Sequence, residues 1–294
     1  MKDKILLFLK GVLMGICDLI PGISGGTIAF ITGIYLRLIN AVKSFSFKLI
    51  YDLFKFLIGK GRYKDLREDI KKLDLGFLIV LLLGIFSAIF LGSRIIKFLL
   101  DNYFSYTLCF FIGLILVSCF IIFENIKNHN WKNILLGVLG FFAGVLFCLL
   151  APVNVVPSLK YVFIGGFFAI SAMFLPGISG AFILLIMGLY EFMINVLHNL
   201  SSNLNYFIMF VLGAGLGALI ISRTISFLFR KDKCKTLYFL LGLVIGALGI
   251  PLKKIYEISF ELNVIDIGIM FILFLGGILL VIVVRKYEKI MLRD

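Results

Sequence analysis

Charge is scarce in this chain of 294 residues, at 15% of the total, and histidine is scarcer, with two residues. A soluble globular domain carries about a quarter of its residues as charges, so the shortage excludes that class. The 62% share of hydrophobic residues assigns the chain to the integral membrane proteins. Cysteine is present, but Cys17, Cys109, Cys119, Cys148 and Cys234 are scattered, with no paired spacing and no histidine beside them. That pattern gives neither a disulfide framework nor a metal site. His129 and His198 both fall in predicted loops, and no nucleophile with a positioned base is visible, which argues against an enzyme. Acidic residues are also few, 16 against 29 basic ones, for a formal charge of +13. In a membrane protein this excess reads as lysine and arginine on the cytoplasmic face beside anionic lipid. Without a basic-aromatic module it does not read as nucleic-acid binding.

Proline is rare, with five residues, so its placement is informative. Two prolines open the same pentapeptide, Pro21-Gly22-Ile23-Ser24-Gly25 and Pro176-Gly177-Ile178-Ser179-Gly180, each inside a hydrophobic stretch. Proline and glycine break helices, and a break at membrane depth is tolerated only where the freed backbone is buried in protein or lines a polar cavity. The match extends beyond the motif. Gly11 pairs with Gly166, Gly33 with Gly188, Tyr35 with Tyr190 and Asn40 with Asn195. A second block aligns the run Ser93 to Leu99 with Ser222 to Leu228, and Thr107, Phe110 and Gly113 with Thr236, Phe239 and Gly242. Two ordered blocks repeating in the same order mark an internal duplication, with an insertion in the first half between Asn40 and Gly76.

The expected fold is an all-α integral membrane protein of two inverted repeats, 1–150 and 151–294. Each repeat has a re-entrant helical hairpin, about 5–39 and about 161–197, followed by three transmembrane helices. The continuous spans are expected over about Gly76 to Leu99, Phe104 to Phe123, Asn133 to Leu150, Tyr206 to Phe229, Leu237 to Ile250 and Val264 to Val284. The Leu237 span is short and ends at Pro251, so it starts earlier or does not cross alone. Loop charge decides between hairpins and full crossings. If both broken segments turn back, the basic N-terminus, the lysines between Lys43 and Lys72, the loop with Lys127 and Lys132, the Arg230 to Lys235 run and the C-terminal tail share one side, the cytoplasm, which also holds both termini. The opposite side then receives only Lys97, Lys160, Lys253 and Lys254. Asp18 and the Pro21 break argue against a cleaved signal peptide. In the basic insertion, about 41–74, the pattern over Phe47 to Leu57 predicts a helix lying on anionic lipid.

At each break one helix ends and another begins, leaving unpaired N–H groups around Gly22, Gly25, Gly26, Gly177 and Gly180, with hydroxyls from Ser24, Thr27 and Ser179. Donors converging in this way suit an anion such as phosphate or carboxylate. The plainer reading is tight glycine packing with each serine capping its own helix. Arg94 and Arg223, matched by the second block, offer bidentate hydrogen bonds to phosphate, or snorkel to headgroups. Asp18 and Glu191 are acids at membrane depth, suited to proton or sodium coupling, or to pairing with an arginine or capping a helix.

The stretch Asp18 to Thr27, the later Thr32-Gly33-Ile34-Tyr35, and the copy from Pro176 through Gly188-Leu189-Tyr190-Glu191 resemble the bacterial and archaeal polyprenyl-phosphate transporter family. The resemblance implies translocation of undecaprenyl phosphate from the outer to the inner leaflet of the plasma membrane, without a cofactor or covalent step. The phosphate is then expected to enter near Arg94, rest between the Ser24 and Ser179 turns, and leave near Arg223. The family pattern carries a glutamate soon after the first glycine-tyrosine pair; here Leu36 and Arg37 stand there, so acid-based coupling in the first half rests on Asp18. Two other readings stay open, a secondary transporter for a small soluble anion and a membrane lipid phosphatase or transferase. Oligomeric state is not legible.

Overall fold

The computed structural model describes residues 2–20, 23–45, 52, 55, 56, 58, 73–150, 152, 153, 155–258 and 263–291. The predicted interfacial helix from Phe47 to Leu57 lies largely outside them, as do Pro21 and Gly22. In the first half the helices are α1 (Lys2–Asp18), α2 (Gly25–Ile31), α3 (Tyr35–Lys43), α4 (Leu75–Ser87), α5 (Ser93–Asn102), α6 (Phe104–Glu124) and α7 (Trp131–Leu149). A single π-helical turn, Ala88–Gly92, joins α4 to α5. In the second half they are α8 (Leu159–Met173), α9 (Gly180–Ile186), α10 (Tyr190–His198), α11 (Leu204–Lys231), α12 (Lys233–Ala247), α13 (Gly249–Ile258) and α14 (Val264–Met291).

Among the described residues, six helical stretches are long and apolar enough to cross a membrane, three from each half. The span expected from Leu237 begins at Lys233, where Asp232 caps α12 by accepting a hydrogen bond from the Lys235 N–H at 3.0 Å. It also continues past Pro251, so that 233–257 forms one apolar stretch with a break at Leu248. Removing the cap with Asp232→Ala is expected to lower stability by about 1 kcal/mol, read as a small drop in melting temperature in detergent.

Each broken segment has a second break that the motif alone does not announce. After α2 and after α9 the chain turns sharply, by 117° into α3 and by 110° into α10. The turning residues are Gly33 (φ 77°) and Gly188 (φ 65°), in the left-handed region that only glycine enters at no steric cost. The two segments are therefore three-helix units rather than simple hairpins.

Packing follows the repeat. The first helix of each half lies along the first span of the same half, α1 on α4 and α8 on α11. The last span of each half instead packs on the middle span of the other, α7 on α12 and α14 on α6. Glycines make the crossings close. Any side chain at Gly11 or Gly84 would meet backbone of the facing helix, and the same holds at Gly166 and Gly213, the matched positions. Small residues at such crossings let membrane helices approach backbone to backbone. The main core lies around α2, whose Ile28, Ala29 and Phe30 pack with Tyr35, Leu108, Leu241 and Val244, while large apolar side chains such as Phe142, Phe271 and Ile272 point outward. An apolar exterior over spans of this length belongs to a multi-pass membrane protein.

Candidate functional site

The two Pro-Gly-Ile-Ser-Gly turns meet directly. The Thr27 hydroxyl, buried on α2, accepts a hydrogen bond at 2.8 Å from the N–H of Gly177 in the second turn. Gly177 has φ 94°, and a Cβ there would fall about 3 Å from the backbone of Val244 on α12, so only glycine fits. On the other side, a Cβ at Gly26 would stand 2.5 Å from the carbonyl oxygen of Met173, the last residue of α8.

The turns share a sequence but not a state. In the first, Asp18 Oδ1 accepts from the Gly25 N–H at 2.7 Å and Ser24 Oγ accepts from the Gly26 N–H at 3.2 Å. The leading donors of α2 are thus consumed by the chain itself, and Ser24 is a helix cap. In the second turn Ser179 has the same extended backbone, yet its side chain makes no capping bond. The position matching Asp18 is Met173, and the position matching Thr27 is Phe182. One turn is closed on itself and the other is open.

The open turn borders a cavity of about 280 Å³. Polar residues from both halves line it, Asp18 from the first and Ser179, Tyr190 and Lys254 from the second, set among Leu19, Phe182 and other apolar side chains. In the sequence Lys254 is only one of the few charges on the side opposite the cytoplasm. The break between α12 and α13 at Leu248, followed by Pro251 in the first turn of α13, brings it to the cavity instead. Its neighbour Lys253 is turned away and pairs with Glu257 at 3.8 Å. A lysine three residues beyond a proline break in an apolar stretch was the available signal.

The matched tyrosines also differ. Tyr35, 3% exposed, donates its hydroxyl to the carbonyl of Phe174 at 2.8 Å, with its ring edge-on to Phe30. Tyr190, 40% exposed, lines the cavity together with Leu19, the counterpart of Phe174, and makes no hydrogen bond among the described residues. Tyr35→Phe removes a bond worth roughly 0.5–1.5 kcal/mol and leaves a part-buried carbonyl without its donor. Amide hydrogen exchange in α3 is expected to accelerate several-fold in that variant, and to stay at the wild-type rate in Tyr190→Phe.

The remaining expected site residues lie elsewhere. Arg94 is exposed on α5, and Arg223 on α11 donates to its own helix at the Leu219 carbonyl, 3.0 Å away. Neither lines the cavity. Glu191 is exposed in the first turn of α10, beside Tyr190 but outside the lining. Gly180 adjoins the cavity at the start of α9, with a Cβ position 2.7 Å from the Ala169 carbonyl, and Gly22 lies outside the described residues. Two cations not singled out in the sequence tie the broken segment down: Lys10 Nζ donates to the Thr32 carbonyl closing α2, and Lys43 Nζ to Ser226 Oγ, which in turn donates to Asn40 Oδ1. His129 is paired with Tyr238. A second cavity, of about 540 Å³, is lined almost wholly by apolar residues of α8, α9 and α11. From α9 and its C-cap it uses Ile183, Ile186 and Met187, the face opposite Phe182 and Leu185, so this short helix separates a polar cavity from an apolar one.

No solved structure matches the chain. A polyprenyl-phosphate transporter of Vibrio cholerae is 36% identical over 241 residues, covering 82% of this chain and 75% of the relative. A polyprenyl-phosphate transporter of Staphylococcus aureus is 29% identical over 293 residues, covering 92% of this chain and 95% of the relative. Both names describe transporters rather than enzymes. Residues 14–265, which contain both turns and every residue of the polar cavity, match the family described as VCA0040-like, undecaprenyl phosphate translocase-like, and the chain belongs to that family.

Proposed function

We propose that this protein moves undecaprenyl phosphate, or a closely similar polyprenyl phosphate, from the outer to the inner leaflet of the bacterial plasma membrane, returning a carrier lipid used in envelope synthesis. The observation that carries the reading is the junction of the turns. Two broken segments from the two halves meet through the Thr27 to Gly177 bond, beside a polar cavity within an otherwise apolar membrane protein. A cavity of about 280 Å³ holds a phosphate group, not a polyprenyl chain, and the apolar cavity across α9 offers the tail a separate path. No bond is made or broken in the lipid.

The two halves act as inverted repeats, with both termini in the cytoplasm, as the loop charges favour. The difference between matched residues supports alternating access: the Tyr35 side is bonded shut while the Tyr190 side borders the cavity. Asp18 is the coupling acid of this scheme, taking a proton or sodium ion as the phosphate is carried. Reconstituted protein should translocate labelled undecaprenyl phosphate across liposomes, with inorganic phosphate as the comparison. Uptake of inorganic phosphate alone would reject a lipid substrate.

A further inference from the structure

Lys254 is a positive charge with no hydrogen-bonded or ion-paired partner among the described residues; Glu257, one turn further on, acts on it only as a nearby charge. It is half-buried and lines the polar cavity, yet among the described residues it makes no hydrogen bond and no ion pair within 4 Å. Two acids are near Lys254 in the fold, and both have other partners. Glu257 pairs with Lys253, and Asp18, on the same cavity, accepts from the Gly25 N–H. Holding an unpaired ammonium in apolar surroundings is costly, and the cost is recovered when an anion comes to it.

Two hydroxyls share the cavity with the ammonium and are equally uncommitted. Ser179 does not cap α9 although its repeat partner Ser24 caps α2, and among the described residues Tyr190 makes no hydrogen bond although its partner Tyr35 does. One cation and two neutral donors correspond in number and kind to the oxygens of a phosphate monoester. The arginines do not compete for this role, since neither lines the cavity and Arg223 is bonded to its own helix.

The charge is also one-sided. In the alignment that matches Gly113 with Gly242, the counterpart of Lys254 is Asn125, a neutral residue whose amide donates to the Ile121 carbonyl at 2.7 Å. The first half therefore has no equivalent cation. We propose that Lys254 pairs with the phosphate of the lipid headgroup in this cavity, with Ser179 and Tyr190 as accompanying donors, and that it sets the preference for a phosphorylated over a neutral polyprenyl lipid. The proposal rests on the lipid-phosphate reading above. Lysine presents a compact charge on a flexible stem, which suits a ligand that is captured and released.

The test is equilibrium binding to the purified full-length protein in nanodiscs, with undecaprenyl phosphate, undecaprenol and inorganic phosphate titrated separately. Wild type is expected to prefer undecaprenyl phosphate over both others. Lys254→Met should weaken binding of the lipid phosphate by on the order of 30-fold, as for removal of one partner of a buried charge pair, while leaving undecaprenol unchanged. Lys254→Arg should restore most of the affinity. If the methionine variant does not fold, Lys254→Gln carries the same comparison. Should wild type prefer the phosphorylated lipid and the neutral variants retain that preference, Lys254 has no such role and the transport reading stands. Should only inorganic phosphate bind, and lose affinity in the variants, Lys254 is a ligand for a free anion and the lipid reading falls.

Discussion

Alanine at Gly26 is expected to slow transport at least roughly tenfold. The added Cβ stands 2.5 Å from a backbone oxygen, that of Met173, and 3.3 Å from Ser24 Oγ, so no rotation of a flexible side chain relieves the contact. Relief requires α2 to move away from the end of α8, and the neighbouring residue, Thr27, holds the only hydrogen bond between the two turns among the described residues. Overpacking of this kind costs about 1–3 kcal/mol, and the lost bond leaves the Gly177 N–H without an acceptor for about another 1 kcal/mol. The expected result is a translocation rate at least roughly tenfold below wild type, with a lowered melting temperature, on the scale that 1.4 kcal/mol gives a factor of ten. Gly215→Ala is the matched control. Nothing lies within 4 Å of a Cβ there, and alanine in place of glycine inside a helix gains up to about 1 kcal/mol, so this variant should be as stable as wild type or more so, and fully active. Wild-type transport by Gly26→Ala would show that close contact between the turns is dispensable.

Asp18→Asn separates the two things that Asp18 does. Its Oδ1 ends the first turn by accepting from Gly25, and the residue is part of the cavity wall that Lys254 also lines. Asparagine keeps an acceptor oxygen at the same place and deletes the charge. The expected outcome is a folded protein that binds lipid phosphate at least as tightly as wild type, because a carboxylate no longer opposes the incoming anion. Its transport should no longer respond to an imposed proton or sodium gradient. Asp18→Ala removes the acceptor as well, and should lose about 1–3 kcal/mol of stability in addition. Gradient-dependent transport by Asp18→Asn at the wild-type level would remove Asp18 from the coupling scheme. Proteoliposomes with defined internal and external pH and sodium measure both variants.

The broken segments and the three spans of each half were legible because each rests on a local rule: proline and glycine end helices, and a run of about twenty apolar residues crosses a bilayer. What escaped the sequence depends on helix phase and on contacts far apart in the chain. Arg94 and Arg223 are matched in sequence, but the π-helical turn at Ala88–Gly92 resets the face that α5 presents, whereas α11 runs through its corresponding stretch as regular α-helix. Thr27 was read as a hydroxyl available to an anion; its bond to Gly177 spans 150 positions, and no local pattern announces it. The difference between the turns was partly visible, in Met173 for Asp18 and Phe182 for Thr27, but its meaning needed the cavity. Gly33 and Gly188 were seen as matched residues, and only their positive φ values identify them as turning points.

The exchange of last spans between halves governs when the protein can assemble. α7 leaves the ribosome before any of α12 has been made, and its Gly140 and Gly144 form their close contacts only with α12. α6 likewise waits for α14, the last of the described helices, to cover Gly113. The first half is thus synthesised with two glycine-lined faces turned to lipid, and a chain truncated before α14 cannot complete the Gly113 crossing. Domains that fold one after another during synthesis tolerate such a stop. This architecture does not: the α7 face closes only once α12 has been made, and the α6 face only once α14 follows.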